Sequence, residues 1–170
     1  MDAGSLLFSI AALIVSVLSF YFSIKSWRES NRPLVTARVA NQSGGNVAAS
    51  LILVVQNTGN RPAKNIALAV DAKELEAAML PTINPMVKKC IEQIFTDRGV
   101  IPILENGRSA SNGFGVLRKG DDQMDWNRLS RLNIYISYQD LDGRKYKHTN
   151  PLLIADDRGF AGSWSENGNE

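Results

Sequence analysis

The stretch from residue 49 to residue 70, ASLILVVQNTGNRPAKNIALAV, decides the fold class. Residues 49–56 form a β-rich run whose centre, residues 51–55, is continuously apolar, as is typical of a central strand. The Asn, Gly and Pro residues at 57–62 are typical of a turn. Ile66, Leu68 and Val70 then recur at every second position, as in a strand with one buried face. We therefore predict two strands joined by a turn.

The same alternation of short strands and turns continues on both sides of this stretch. Further strands are predicted at residues 34–40, 100–104, 111–117, 132–138 and 144–149. The segment 120–128 is polar, and Trp126 is its expected inward anchor. Short strands separated by turns predict a mainly β, antiparallel sandwich over residues 33–154, followed by a flexible Gly-, Ser- and Asn-rich tail at 155–170.

A helical insert is predicted at residues 71–97. Asp71 and Glu74 have the spacing of a capping box, and Asn84-Pro85 is suited to start a second helix. An apolar stripe follows at helical spacing, formed by Met86, Val87, Cys90, Ile91, Ile94 and Phe95. We expect this stripe to cover one end or edge of the sheet; the alternative is a face that binds a partner.

Residues 1–32 are predicted to form a single transmembrane and juxtamembrane helix. From Ala3 to Ile24 there are 22 consecutive uncharged residues, 16 of them apolar. A helix of that length spans about 33 Å, enough for a hydrocarbon core of about 30 Å. Tyr21 and Trp27 fit the aromatic belt at a membrane surface. A cleaved signal peptide is disfavoured, because its basic start and small residues before the cleavage site are lacking.

The charges that flank the span predict its orientation. Lys25, Arg28 and Arg32 follow the span, whereas only Asp2 precedes it. Excess Lys and Arg mark the cytoplasmic side. We therefore expect an inner-membrane protein with the N-terminus outside and the C-terminal domain in the cytoplasm.

Small residues form an uninterrupted heptad pattern along the predicted helix. They are spaced alternately by four and three residues, at Ser5, Ser9, Ala12, Ser16, Ser19, Ser23, Ser26 and Ser30. Small residues on one face allow helix backbones to approach closely in a membrane. This serine seam predicts a homo-oligomer; the alternative is that the hydroxyls only bond to their own i−4 carbonyls.

Composition argues against most catalytic and metal chemistry. The chain has 170 residues with one cysteine (Cys90) and one histidine (His148), so sites built from Cys and His are disfavoured and no cofactor is predicted. No nucleophile elbow or phosphate loop is present in the sequence. A balance of 19 basic and 17 acidic residues argues against a dedicated nucleic-acid binder. We expect a protein that is not an enzyme.

A basic cluster is the candidate site for an anionic ligand or a partner. It comprises Arg118, Lys119, Arg128, Arg144, Lys145, Lys147 and His148. The alternative interpretation is a solvated hairpin face.

Residues 53–66, LVVQNTGNRPAKNI, resemble the second and third strands of bacterial immunoglobulin-like domains of the CARDB type, with their Asn-x-Gly-x-x-Pro-Ala turn. Residues 103–107 are similar to a later turn of such domains, and residues 138–143 to their last hairpin. The resemblance implies an immunoglobulin-like sandwich that binds or adheres. The layout of anchor and domain also resembles small membrane proteins of bacterial defence islands, which implies antiviral defence.

Two functions follow from these patterns. The favoured one is a non-enzymatic module, anchored in the bilayer, self-associated through the serine seam and presenting a cytoplasmic β-sandwich to a protein partner. The alternative is a ligand-gated membrane effector, forming a pore or disrupting the membrane, whose soluble domain senses a small anionic signal.

Overall fold

The computed structural model describes residues 3–44, 48–118, 125–127 and 129–155. The chain separates into two compact units, residues 1–32 and residues 33–170. The predicted tail lies outside the described residues, apart from Ala155.

The first unit is one long helix, α1, Ala3–Ser30. Its apolar side chains lie on all sides, and large ones such as Phe8 and Phe20 are exposed. Its last turn is closed by Asn31, whose backbone N–H and side-chain amide both donate to the carbonyl of Trp27, at 3.0 and 2.8 Å. Pro33 follows and cannot continue a helix. The segment Leu6–Ser30 is long and apolar enough to cross a membrane.

The second unit is mainly β, as predicted. Its described residues form the strands β1 Val35–Gly44, β2 Ala48–Asn57, β3 Ala63–Val70, β4 Ile101–Leu104, β5 Ser109–Arg118, β6 Ser130–Gln139 and β7 Lys145–Ile154. One sheet has the order β1-β2-β5 and the other the order β4-β3-β6-β7. Every neighbouring pair is antiparallel.

The buried faces of both sheets contribute to one hydrophobic core. Alternate residues of β6 from Leu132 to Tyr138 point inward and are buried, and Leu51 and Leu53 of β2 belong to the same core. The Asn150 side chain joins the edges of the two sheets, because it accepts from the Ala37 N–H at 3.3 Å and donates to the Ala37 carbonyl at 2.8 Å.

The strand registers define two opposite ends of this domain. At the Pro33 end, β1 begins opposite Asn57, and Gln139 lies beside both Lys64 and Lys145. At the insert end, β3 finishes at Val70 and leads into the helices. The chain thus enters the domain at one end, and the insert lies at the other.

The insert contains both predicted helices, α2 Ala72–Ala78 and α3 Pro85–Ile94, followed by a short 3-10 helix at Asp97–Gly99. The Asp71 carboxylate accepts from the backbone N–H groups of Lys73 and Glu74, and the Asn84 side chain accepts from that of Met86. Both helices are therefore capped as the sequence predicts.

Trp126 is the inward anchor that was predicted. It is fully buried, stacks on Phe114 with ring centroids 4.6 Å apart, and donates its indole N–H to the Phe114 carbonyl. Phe95 meets the edge of Phe114 at 6.4 Å. This aromatic cluster attaches the insert to β5.

Several strand bounds differ from the predicted ones. β1 continues to Gly44 through residues that were predicted as a loop, because Ser43 and Gly44 pair with Ser50 and Ala49 after a bulge. β7 continues to Ile154, since β6 pairs with it along its full length. Cross-strand pairing overrides the local turn preference of Asn, Ser and Gly.

Candidate functional site

The serine seam is a continuous exposed stripe on α1. Its described side chains, at positions 9, 12, 16, 19, 23, 26 and 30, are all exposed; the side chain of Ser5 lies outside the description. The Ser19 hydroxyl donates to the Val15 carbonyl at 2.8 Å, an i−4 bond. Such a bond leaves the oxygen able to accept from a neighbouring helix. The stripe can therefore serve as a helix contact while Ser19 is satisfied internally.

The residues that follow the apolar span carry its polar and aromatic flank. Lys25, Arg28 and Arg32 are exposed, as are Tyr21 and Trp27. Tyr21 also contacts the edge of Phe22, with ring centroids 5.8 Å apart. The structure leaves all five side chains accessible.

Asn57 holds the Pro33 end of the domain together. Its side chain is fully buried. Its carbonyl oxygen accepts from the N–H groups of Leu34 and Gly59, at 3.2 and 3.1 Å. Its amide donates to the carbonyls of Arg61 and Leu104, at 2.8 and 3.1 Å. The turn residue that carries the family resemblance therefore has a structural role: it ties the first strand to two turns.

Leu34 and Pro33 are fixed by further contacts. The Thr58 N–H and hydroxyl both donate to the Leu34 carbonyl, at 2.8 and 3.3 Å. The buried Tyr138 hydroxyl donates to the Pro33 carbonyl at 3.2 Å. Only Asn31 and Arg32 lie between Ser30, the last residue of α1, and Pro33, the first residue held by these contacts. The domain is thus tied to the helix by a very short connection.

The predicted basic cluster is divided by the structure. Lys145 and Lys147 are exposed on the outer face of β7, and Arg144 is exposed in the turn before it. His148 points to the other face, where its ring meets the edge of Tyr138 at 5.9 Å. Consecutive side chains of a strand point to opposite faces, so His148 cannot act with its two lysine neighbours. Arg118 ends β5, with its side chain outside the description, and Lys119 and Arg128 lie outside the described residues.

The hairpin between β6 and β7 has a structural carboxylate at its centre. Asp140 is buried and accepts from the Arg144 N–H at 2.9 Å and from the Tyr146 hydroxyl at 3.0 Å. Burial, and then the hydrogen bond to Asp140, raises the pKa of Tyr146. Asp142 forms an ion pair with Arg61 at 2.7 Å, and this hydrogen bond raises the pKa of Arg61. The turn glycine, Gly143, has the positive φ of 82° that this hairpin requires.

The apolar stripe of the insert is divided as well. Ile91 and Ile94 are buried in the core, and Val87 and Phe95 are half-buried against it. Met86 is 75% exposed. Cys90 is a free, exposed cysteine. Ile91 and Ile94 are therefore unavailable to a partner, whereas Met86 and Cys90 are accessible.

A cleft of about 260 Å³ lies between α2 and α3. Its apolar lining comes from the end of β3 and from both helices, and the charged lining from Glu76, Lys88 and Glu92; the remaining lining residues are Val70, Ala72, Leu75, Met79 and Phe95. Lys88 and Glu76 form an ion pair at 3.3 Å across it. The sequence does not reveal this cleft, because the cleft depends on how the two helices pack.

No site for metal or nucleophilic chemistry emerges from the described residues. Within residues 3–44, 48–118, 125–127 and 129–155, no group of three or more His, Cys, Asp or Glu side chains is arranged to hold a metal ion. Cys90 is exposed on α3, whereas His148 contacts Tyr138 of β6. The structure therefore does not pair the single thiol with the single imidazole.

Comparison with known proteins gives one family. The model of a domain of unknown function, DUF8453, matches residues 5–155. The match covers most of the chain, including the apolar helix and the β domain, so the protein belongs to this family. No curated protein matches the sequence.

Proposed function

We propose that this member of the DUF8453 family is a non-enzymatic, single-pass membrane protein that displays an immunoglobulin-like binding domain. The exposed segment Leu6–Ser30 carries the proposal. Its 25 residues extend about 37 Å, more than the hydrocarbon core of about 30 Å. An apolar surface on all sides of a helix is stable in lipid but not in water. The β domain, in contrast, has a complete core of its own.

The strand order supports an immunoglobulin-like sandwich. In that fold, the second and fifth strands share one sheet with the first, and the third, sixth and seventh form the other. The orders β1-β2-β5 and β3-β6-β7 follow this division. β4 differs from the constant-type arrangement, because it pairs with β3 rather than with β5. The domain is thus a variant in which the fourth strand has changed sheets.

The serine seam is the proposed contact between copies of the chain. In the absence of a hydrophobic drive between helices in lipid, close packing of small residues and hydroxyl bonds drives association. The excess of Lys25, Arg28 and Arg32 after the span supports a cytoplasmic β domain on the inner membrane, by the positive-inside rule. A reporter fused after Glu170 tests this orientation: activity of a cytoplasmic reporter supports it, and activity of a periplasmic reporter alone reverses it.

The proposed partner surface is the insert end. The insert carries a cleft whose lining includes Leu75, Met79 and the exposed Glu92. A cleft of this size accepts an apolar side chain from a partner protein, and the Lys88–Glu76 ion pair marks its rim. The insert end is opposite the Pro33 end, where the domain is tied to α1.

Crosslinking in reconstituted bilayers tests self-association. Replacing Ser9, Ser16 and Ser23 with Leu removes three hydroxyls and blocks close approach. At about 0.6 kcal/mol for each interhelical hydrogen bond, the association constant should fall about 20-fold. The matched control replaces Ile10, Val17 and Ile24 with Leu, at the same spacing but on a different face. Equal crosslinking of the two triple variants would contradict the seam.

A photoreactive residue at position 92, an exposed residue that lines the cleft, tests the partner surface. In native membranes, position 92 should give a specific crosslinked adduct, whereas a photoreactive residue at Ser111, exposed on β5, should not. Met79→Trp, which fills the floor of the cleft, should abolish the adduct without affecting crosslinking between copies. Persistence of the adduct in the Met79 variant would place the partner elsewhere.

A further inference from the structure

The outer face of the four-stranded sheet carries cations and no anions. Strands β3, β4, β6 and β7 contain Lys64, Arg131, Lys145 and Lys147, and none of their residues is Asp or Glu. All four cations lie on the outer face: Gln139 pairs with both Lys64 and Lys145, and alternate residues share a face. Together with Tyr135, which is 50% exposed on the same face, they form what we call the basic sheet face.

Three acidic side chains border this face, and one of them, Glu74, reaches it at Asn133, away from Lys145 and Lys147. The Glu74 carboxylate accepts from the backbone N–H and the side-chain amide of Asn133, at 3.2 and 3.4 Å. Asp142 is paired with Arg61, and Asp140 is buried in the hairpin. Of these carboxylates, Asp142 is neutralised by Arg61, Asp140 lies inside the hairpin and Glu74 lies at the other end of the face, so Lys145 and Lys147 remain the exposed charges at their end.

Three of the four cations, Lys64, Lys145 and Lys147, lie at the Pro33 end of the domain. The Tyr138 hydroxyl holds the Pro33 carbonyl, and the next residue, Gln139, lies between Lys64 and Lys145. Pro33 is three residues after the end of α1, which limits their Cα atoms to a separation of about 11 Å. These lysines thus lie at the end of the domain where the chain enters from α1.

We propose that the basic sheet face docks on anionic headgroups of the membrane in which α1 is anchored. Each Lys or Arg near an anionic bilayer changes partitioning about fivefold. Tyr135 suits the same surface, because tyrosine is enriched at membrane interfaces. Nucleic acid is a less suitable ligand for this face. Proteins bind single-stranded nucleic acid by stacking successive bases on several aromatic side chains. The outer positions of these described strands provide a single aromatic side chain, that of Tyr135. Docking through this face leaves the cleft at the insert end accessible to a protein partner.

The inference rests on the membrane anchor of the proposed function. The test therefore uses the full chain in nanodiscs, with Cys90→Ser and a nitroxide label at Thr149→Cys, an exposed position on the basic sheet face. The nanodiscs contain either phosphatidylcholine alone or a mixture with phosphatidylglycerol, and collision of the nitroxide with a headgroup-attached nickel chelate reports docking. Failure of the chain to enter either nanodisc would refute the anchor, before the lipids are compared.

The docked state should appear in the phosphatidylglycerol nanodiscs and not in phosphatidylcholine. Lys145→Glu with Lys147→Glu should reduce the docking equilibrium about 25-fold or more, because two attractive charges are lost and reversed. Lys73→Glu with Lys89→Glu, which makes the same charge change on exposed residues of the insert, should leave docking intact. Salt at 1 M should release the face, since screening then acts within about 3 Å.

Three results would overturn the proposal. The first is equal collision in the two lipid compositions. The second is an equal loss of docking in the Lys73/Lys89 control variant, which would reduce the effect to net charge. The third is protection of the Thr149 label by an added oligonucleotide but not by phosphatidylglycerol, which would make nucleic acid the partner. With Trp27 and Trp164 replaced by Phe, unchanged fluorescence of the buried Trp126 verifies that each variant is folded.

Discussion

Replacing Asn57 with Ala should destabilise the β domain by about 3–4 kcal/mol. The substitution removes four hydrogen bonds, to Leu34, Gly59, Arg61 and Leu104. Each contributes about 1 kcal/mol net. The bond to the Leu104 carbonyl is buried, so water cannot replace it, whereas the other three groups are partly accessible and can regain water. The sum is therefore an upper value.

Asn57→Asp separates the two halves of this network. A carboxylate can still accept from the Leu34 and Gly59 N–H groups, but it faces the carbonyls of Arg61 and Leu104 and cannot donate to them. Burial and these two carbonyls should raise the pKa of the new carboxyl above its ordinary value of about 3.9. The folded state then binds more protons than the unfolded state. Asn57→Asp should accordingly be more destabilising at pH 8 than at pH 5.

Urea unfolding of the full chain in nanodiscs measures both effects. Trp27 and Trp164 are replaced by Phe, so that the buried Trp126 reports unfolding of the β domain alone. The control is Asn112→Ala, an exposed asparagine on β5, which should change the free energy of unfolding by about 0.5 kcal/mol or less. A loss below about 1 kcal/mol for Asn57→Ala would refute the role of this side chain, since it would equal a single hydrogen bond. An Asn57→Asp variant with no dependence on pH would do the same.

Two further substitutions probe the aromatic cluster and the hairpin. Gly115→Ala should destabilise the β domain by about 2 kcal/mol or more, because Gly115 has φ +88° and the new Cβ would lie 2.8 Å from the Trp126 indole nitrogen. The control in the same urea titration is Gly113→Ala, whose Cβ would have nothing within 4 Å. Equal losses of stability in the two variants would contradict the close contact. The raised pKa of Tyr146 means that the folded state holds its proton more tightly, so the contribution of Tyr146 to stability should be constant below about pH 10 and fall above it. Tyr146→Phe should flatten that fall in unfolding measured against pH, and an unchanged slope would show that Tyr146 is not its source.

Local patterns predict the elements of this protein but not their assembly. Alternation along 132–138 predicts both β6 and its buried residues, and the Asp71 and Asn84 caps predict where the two helices begin. The pairing of β4 with β3, and of β5 with β2, could not be predicted, because it joins residues that are distant in sequence. The turn residues at 140–143 predict only that β6 pairs with β7, the strand that follows it in sequence.

The candidate sites were predictable to different degrees. The period of two places Lys145 and Lys147 on one face and His148 on the other, so the division of the basic cluster could have been read from the sequence. Lys64 and Arg131 join that face only through the sheet register, although the lack of acidic residues in these strands was a visible signal. Asn57 has the sequence signature of a turn residue, and its burial follows from the long-range contact with Leu104.

The retention of α1 in the membrane is the most direct test of the proposed function. The full chain, with a C-terminal tag, is expressed and its membranes are extracted at alkaline pH, and the intact mass of the chain in the pellet is measured. We expect the uncleaved chain in the pellet. Leu13→Arg with Val17→Arg, at about 2.5–3.5 kcal/mol each, should move it to the supernatant. A wild-type chain that is extracted, or one that has lost residues 1–25, would contradict the membrane anchor.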